Sequence, residues 1–392
     1  MWELRTGWLI SGLVLILAGM SLGQTIEDAR RVQASVLGID SHNDTMQRVL
    51  IEGVDLGQRL QDGTIDLPRL QEGGMHAPFF ALWVPAYYRG AEAVRRTLDL
   101  RDAAQRVFDR YPDRIEQATS AQDIERITGQ KKIAAILTIE GGHQIDDDLA
   151  VLRMYRRMGI LAMTLTHFKN NDWADSSTDK PEHNGLTEFG KQVVREMNAI
   201  GMMVDLSHVS DKTFYDALAV STKPVIVSHS SCYVYSDIPR NVKDDMLRAL
   251  AKNGGVIGVN FMPAFLKQED AEALKKAAAK MNQEAPMLTG AELDKYAAKD
   301  HLESGIAHPT TANATVEDVA TCIDHIVKVA GIDHVGIGSD FDGIPQVPIG
   351  LEDVSKMPNL TLALMKRGYS EQDIRKIMGG NTLRVIREVV GE

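Results

Sequence analysis

His42 and Asp44 stand two residues apart at the end of a short apolar run, Val36-Leu37-Gly38-Ile39. Along an extended strand successive side chains alternate faces, so an imidazole and a carboxylate at this spacing point the same way and form a chelating pair. The same arrangement, an apolar strand-like run that ends in His, Glu or Asp, recurs downstream. It is found at Ile133 to Glu140, Ile160 to His167, Met202 to His208, Val225 to His229 and Val335 to Asp340. Imidazole nitrogens and carboxylates are the ligands of zinc and related divalent ions. His42, Asp44, Glu140, His208 and His229 are more than one tetrahedral ion with an open position requires, which suggests two metals that share a carboxylate, with Glu140 as the bridge. Two ions about 3.5 to 4 Å apart hold a hydroxide between them and clamp a substrate oxygen. The chemistry indicated is hydrolysis.

Each residue also has a plainer reading. A single His at a strand end is commonly a hydrogen-bonded structural residue, and Arg240, just before Asn241, fits a surface position. Asp340 and Asp342 flank Phe341 before Gly343, where one carboxylate suits a turn. His143, after Gly141-Gly142, fits a residue that holds that turn. His183, His301, His308, His325 and His334 fall in loops, in a helix or at a strand start and read as structural or surface. The case for a metal site rests on joint occurrence at strand ends.

One architecture brings many strand ends to one place. Strand patterns at Val36 to Asp40, Ala77 to Val84, Ile133 to Ile139, Ile160 to Thr166, Met202 to Leu206, Val225 to Ser228, Val256 to Asn260 and Val335 to Ser339 alternate with helical patterns. The helical patterns are Ala91 to Tyr111, Asp146 to Met158, Thr187 to Ala199, Asp211 to Val220, Asn241 to Lys252 and Val316 to Ala330. Ser210 before Asp211, Asn241 with Asp244 three on, and Thr315 with Asp318 three on supply helix-start signals. This alternation predicts an α/β fold, a (β/α)8 TIM-like barrel, whose strand C-termini converge on one rim. The spacing breaks between Phe261 and Thr315, where Gln268 to Met281 and Ala291 to Leu302 predict a helical segment inserted after the seventh strand. Helical patterns at Leu351 to Lys366, Glu371 to Met378 and Thr382 to Val389 should close the domain.

The 392 residues are 44% hydrophobic and 25% charged with a formal net charge of -11, a globular composition with material for a large core. No basic run occurs, so nucleic acid and anionic membrane surfaces are poor partners. Arg5, the apolar stretch Trp8 to Ala18 and Ser21-Leu22-Gly23 read as a signal peptide over residues 1–23, cleaved after Gly23. That leaves residues 24–392 as a single barrel domain, exported to the periplasm or secreted, with no stable membrane anchor after cleavage. Cys232 and Cys322 have no framework or metal-site spacing and read as two free, mostly buried thiols.

The motifs form one ordered set. It comprises Ser41-His42-Asn43-Asp44, Asp66-Leu67-Pro68-Arg69-Leu70 with Gly73-Gly74, Glu140-Gly141-Gly142-His143, and Leu165-Thr166-His167 with Trp173-Ala174-Asp175. Asp205-Leu206-Ser207-His208, Ser228-His229-Ser230, Arg240-Asn241-Val242, Gly338-Ser339-Asp340-Phe341-Asp342-Gly343 and Gly380-Asn381-Thr382 complete it. The set resembles the renal (membrane) dipeptidase family of zinc metallopeptidases. The resemblance implies two Zn2+ ions, one on His42 and Asp44, the other on His208 and His229, bridged by Glu140. It also implies that Asp340 handles the proton of the bridging water, that His167 supports the developing oxyanion, and that Arg240 pairs with the substrate's terminal carboxylate. An Arg fork suits a carboxylate. The function implied is hydrolysis of small dipeptides with a free C-terminal carboxylate, D-configured C-terminal residues included, and a homodimer is allowed for.

Two positions depart from the family pattern. His76 stands where Gln is frequent and Met262 where Tyr is common, and both are expected near the substrate side of the barrel mouth. Two other readings compete. One is another amidohydrolase-type barrel acting on a lactone, a cyclic amide or a phosphotriester, but such relatives usually open with His-x-His and bridge with a modified Lys. The other is a metal-free binding protein on the same scaffold, which an intact ligand set opposes.

Overall fold

A computed structural model describes residues 24–273 and 313–392. The strands are β1 (Gly38–Asn43), β2 (Met75–Trp83), β3 (Ile115–Gln117), β4 (Ile133–Glu140), β5 (Ile160–Thr164), β6 (Met203–Asp205), β7 (Ile226–Ser230), β8 (Val256–Val259) and β9 (Val335–Ile337). Every pairing between them is parallel. The sheet runs from β2 through β1 and β9 back to β4, and a further β2 to β4 pairing closes it. Eight strands therefore form a closed (β/α)8 barrel. The ninth, β3, is short, lacks a run of apolar residues that would mark it in the sequence, and pairs only with the start of β4.

Alternation along β4 shows how the barrel is filled. Ile133, Ala135, Leu137 and Ile139 join the large cluster under the surrounding helices, whereas Ala134 and Ile136 join a second cluster with Ile39, Phe79, Leu161, Met203, Ile226 and Val256. Glu140 keeps the parity of Ala134 and Ile136, so it faces the barrel interior. Strict alternation is not kept throughout: among other places, the register shifts between Asp40 and Asn43 on β1 and between Val227 and Ser230 on β7. Such irregularities turn the side chains beyond them. Ile39 and Ile226 belong to the interior cluster, and His42 and His229, each three residues on, still reach the same space as Glu140.

The helix-start signals divide. Ser210 accepts from the Thr213 amide at 3.2 Å, and Asp318 accepts from the Thr315 amide at 2.8 Å, as capping chemistry requires. Asn241 does not start its helix, which runs Asp244–Asn253. Its amide is buried and donates to the carbonyls of Ser236 and Phe265 at 2.9 and 2.8 Å, tying the loop after β7 to the segment after β8. Short helices at Ile26–Ala34, Thr45–Ile51, Leu67–Gly73 and Ala121–Gly129 have too few turns to give a strong apolar period in the sequence. The insertion opens with Pro263–Leu266; the expected helix Ala291 to Leu302 and most of Gln268 to Met281 lie outside the described residues, as does the expected signal peptide. Among the described residues no helix is long and apolar enough to cross a membrane. Cys232 and Cys322 are free and buried, with their sulfurs facing each other.

Candidate active site and metal centre

The C-terminal ends of β1, β4 and β7 carry His42, Glu140 and His229 inside the strands themselves. Asp44, His167, His208 and Asp340 sit just beyond strand ends, in irregular backbone. Asp44 has left the strand (φ -104°, ψ 18°) and stands at the residue before the helix Thr45–Ile51 without capping it through its side chain, so it meets His42 through a turn and not through strand alternation. His208 and Asp340 have φ of 66° and 63°, a left-handed conformation that is costly for residues with a Cβ and recurs at functional sites. All seven residues are buried.

Glu140 stands at the centre. Its Oε2 lies 3.4 Å from His42 Nε2, and its Oε1 lies 3.0 Å from His208 Nε2, 3.3 Å from His229 Nε2 and 3.7 Å from His167 Nε2. His42 Nε2 is also 3.6 Å from Asp44 Oδ2 and 3.7 Å from Asp340 Oδ1. Among the described residues, three overlapping groups thus have ligand atoms close enough to share a cation: His42, Glu140 and His229; Glu140, His167 and His208; His42, Asp44 and Asp340.

Several observations test whether these residues suit metal ions. Buried polar atoms lacking a hydrogen-bond partner include His42 Nε2 and Asp44 Oδ1. Such atoms are expensive to bury unless something binds them. A Cβ on Gly343 would come within 2.0 Å of Asp44 Oδ2 and 2.6 Å of Asp340 Oδ1, so only glycine lets the chain pass beneath these carboxylates. The donor set of imidazoles and carboxylates fits a divalent cation of the zinc type.

Electrostatics agree with a ligand role for His208 and His229. Burial, followed by the positive charge of Arg240 and neighbouring imidazoles, pushes His208 well below the usual histidine range; burial, His42 and Arg240 do the same to His229. Neutral imidazoles offer lone pairs. Burial opposes charge on His42, but Glu140 and Asp44 outweigh it and hold its pKa well above the usual value. Burial raises Glu140 above the ordinary carboxylate range, with the positive charge of His42 opposing the rise and the negative charge of Asp44 adding to it.

Surrounding hydrogen bonds fix the rings. Ser228 Oγ donates to Asp205 Oδ2 at 2.5 Å and lies 2.7 Å from His229 Nδ1. A hydroxyl has one proton, so with that proton on Asp205 it accepts from His229 Nδ1, leaving Nε2 as a lone pair turned to Glu140. Asp205 also accepts from Thr164 Oγ1 at 2.7 Å and from the amides of Ser207 and Ser228 at 3.0 and 2.9 Å. Asp40 plays the matching part on β1, accepting from the Ser339 amide at 2.8 Å and from the Ser339 hydroxyl.

Asp340 and Asp342 take different roles. Asp340 Oδ2 accepts from Asn260 Nδ2 at 2.8 Å, and burial raises its pKa to about 7. Asp342 instead accepts from Thr45 Oγ1 at 2.8 Å and from the amide and hydroxyl of Thr64 at 2.7 and 2.8 Å, so it is the residue that ties loops together. Arg240 is not a surface residue. It is buried, and its two Nη atoms donate to Ser230 Oγ at 3.3 Å and the His229 carbonyl at 3.1 Å, while Nε is without a partner and burial lowers its pKa to about 10. No described carboxylate lies within ion-pair distance of it.

His143 lies on the turn Gly142–Ile145 and enters none of the metal-capable groups. His183, His325 and His334 bond to Asn171 O, Asp244 and Gly255 O, in keeping with structural roles, and His301 and His308 lie outside the described residues. His76 corrects an expectation. It sits at the N-terminal end of β2, seven residues before Trp83, roughly 20 Å of strand away from the rim. Met262 does lie by the mouth, packed with Ile238 and Phe265.

A sequence model of the membrane dipeptidase family, peptidase family M19, matches residues 26–391. The chain belongs to this family. It is an enzyme of the metallo-dipeptidase class. Among relatives, dipeptidase tcpJ of Claviceps purpurea is 36% identical over 387 residues, which covers 94% of this chain and 81% of that protein. An uncharacterized dipeptidase of Schizosaccharomyces pombe is 37% identical, covering 88% of this chain and 79% of that one. Among solved structures, the probable dipeptidase PvdM from Pseudomonas aeruginosa superposes with a TM-score of 0.81 at 28% identity, covering 93% of this chain and 98% of that one. A metallopeptidase from Rhodobacter sphaeroides, liganded with a phosphinate mimic of the dipeptide L-Ala-D-Ala, gives a TM-score of 0.74 at 25% identity, covering 90% and 99%.

Four further residues of this membrane dipeptidase family member support the site without being marked as such by the sequence: Asn260, Asp205, Ser228 and Trp83. Asn260 and Trp83 carried one signal: each is a polar-tipped residue at the end of an apolar strand. Asp205 stands three residues before His208 and Ser228 one before His229, in motifs already singled out, yet a buried relay between two strands has no one-dimensional trace.

Proposed function

We propose that this enzyme is a dizinc dipeptidase that cleaves small dipeptides carrying a free C-terminal carboxylate, D-configured C-terminal residues included. The observation that carries the binuclear reading is the division of Glu140: one carboxylate oxygen faces His42, the other faces His208 and His229. His42 and Asp44 would hold one ion, His208 and His229 the other, and Glu140 both. Divalent ions held there supply Lewis acidity, activating water and polarising the scissile carbonyl.

The chain's own groups do the rest. Asp340, with Oδ2 held by Asn260 and its pKa raised to about 7, is suited to take a proton from the attacking water and return it to the leaving amine. His167 donates at Nε2 to the oxygen that becomes negative. Arg240, buried and without a carboxylate among the described residues, receives the substrate's terminal carboxylate. The dipeptide mimic held by the Rhodobacter sphaeroides relative supports the substrate class. The basic residue and apolar run ahead of Gly23 support export of the mature enzyme, which N-terminal sequencing of the secreted form checks.

The direct test is a panel of dipeptides, with L-L and L-D pairs and C-terminal amides, assayed on chelated enzyme with and without added zinc. Zinc-dependent cleavage restricted to free acids is expected. Cleavage that ignores both zinc and the terminal carboxylate defeats the reading.

A further inference from the structure

Strand β2 brings no histidine or carboxylate to the rim; its last residue is Trp83. In the parallel register Trp83 pairs with Glu140, which places the indole level with the central carboxylate. Trp83 is buried, its ring meets that of His167 edge-on at 5.5 Å, and its Nε1 donates to His167 Nδ1 at 3.0 Å.

An indole nitrogen donates and never accepts. His167 Nδ1 must therefore offer its lone pair to Trp83, and a neutral imidazole so engaged carries its one proton on Nε2. That Nε2 lies 3.7 Å from Glu140 Oε1, on the side of the metal-capable cluster. His229 is the reverse: its Nδ1 proton goes to Ser228, so its Nε2 is bare. Two imidazoles face the same carboxylate oxygen, one presenting a hydrogen and the other a lone pair. Geometry alone does not separate them, because His167 also falls in a metal-capable group with Glu140 and His208. Hydrogen-bond chemistry does.

We propose that Trp83 is a positioning residue that locks the tautomer of His167, keeping its Nε2 a hydrogen-bond donor and out of the metal ligand set. The role rests on the reading of His167 as the donor to the developing oxyanion. A Trp at this point suits the task better than a carboxylate or a carbonyl, either of which would accept from Nδ1, bare Nε2 and turn His167 into a further ligand. The backbone that carries the indole is also held firmly. Gln47 donates its side-chain amide to the Trp83 carbonyl, and β1 and β4 flank β2 on its two sides. Phe168 approaches His167 as a second ring, but it is largely exposed, so the buried contact that sets the proton is Trp83.

The test uses the zinc-reconstituted full-length enzyme, labelled with ¹⁵N in its histidines, with the His167 signals assigned by loss in His167→Gln. In the wild type Nδ1 of His167 should resonate as an unprotonated nitrogen and Nε2 as a protonated one; a protonated Nδ1 overturns the proposal without any Trp variant. Trp83→Phe keeps the ring and removes the N–H. It should retain full metal content and a nearly unchanged KM, lower kcat about 10- to 100-fold, and show His167 in mixed tautomers or bound to metal. A Trp83→Phe enzyme with wild-type kcat and an unchanged His167 tautomer also overturns the proposal. The kinetics of His167→Gln test the underlying reading separately: full kcat there removes the donor role, whatever the tautomer proves to be.

Discussion

Asn260 Nδ2 donates to Asp340 Oδ2 at 2.8 Å, leaving Asp340 Oδ1 turned toward His42 at 3.7 Å. A carboxylate tethered at one oxygen has the other available for a proton. Asp340→Asn is expected to keep both metals and the fold while losing turnover by a factor on the order of 10² to 10⁴, with little change in KM. Metal analysis beside steady-state kinetics decides it, because joint loss of metal and activity would make Asp340 a ligand. Asn260→Ala, which frees the tether alone, should cost less.

Glu140→Gln replaces an oxygen that serves one half of the site with an amide nitrogen that cannot. Metal content measured by mass spectrometry should fall sharply, since neither pair of remaining ligands is sufficient by itself. One ion or none in carefully reconstituted wild-type enzyme would end the binuclear model.

Arg240→Ala should raise KM for dipeptides and spare the metals. Losing one partner of a shielded, charged hydrogen-bonded pair costs about 2 to 5 kcal/mol. C-terminally amidated dipeptides should mimic the variant's loss in the wild type. Equal rates on acids and amides would remove Arg240 from substrate recognition.

Gly343→Ala asks whether the space beneath the carboxylates is needed. The added methyl would overlap Asp44 Oδ2 and Asp340 Oδ1, so metal retention and kcat should drop together while the circular dichroism spectrum of the barrel is preserved. Wild-type metal affinity in a folded Gly343→Ala protein would show that the loop yields.

Burial, reinforced by Arg89, lowers His143 from 6.5 to about 4. The folded state then binds fewer protons than the unfolded chain between these values, so the stability at stake is fully present above pH 6.5 and is lost as pH falls toward 4. His143→Gln should flatten the fall in unfolding free energy across that window, measured as urea midpoints at successive pH values. An unchanged slope assigns the acid sensitivity to other groups.

Much of this enzyme was legible in one dimension because the relevant physics is local and periodic. Apolar runs that each end in a histidine or a carboxylate, separated by amphipathic stretches, predict both the barrel and the set His42, Asp44, Glu140, His167, His208, His229 and Asp340. Residue type by itself marks these atoms as candidates for metal ligation and proton transfer, and the order of the motifs determines the family.

The folded chain decided what depends on neighbours distant in sequence. Bulges in β1 and β7 break the alternation that pattern reading assumes, so the aim of His42 and His229 is set by register with β2 and β8. Asp340 and Asp342 are chemically identical and two residues apart, yet one is tethered to Asn260 from β8's end and the other to Thr45 and Thr64. His76 looked like a mouth residue until its place at the far end of β2 was fixed by pairing. Which nitrogen of a histidine bears the proton is written nowhere in the sequence. It follows from Trp83 beside His167 and from Ser228 with Asp205 beside His229, because a proton goes where the tertiary hydrogen bond leaves room for it.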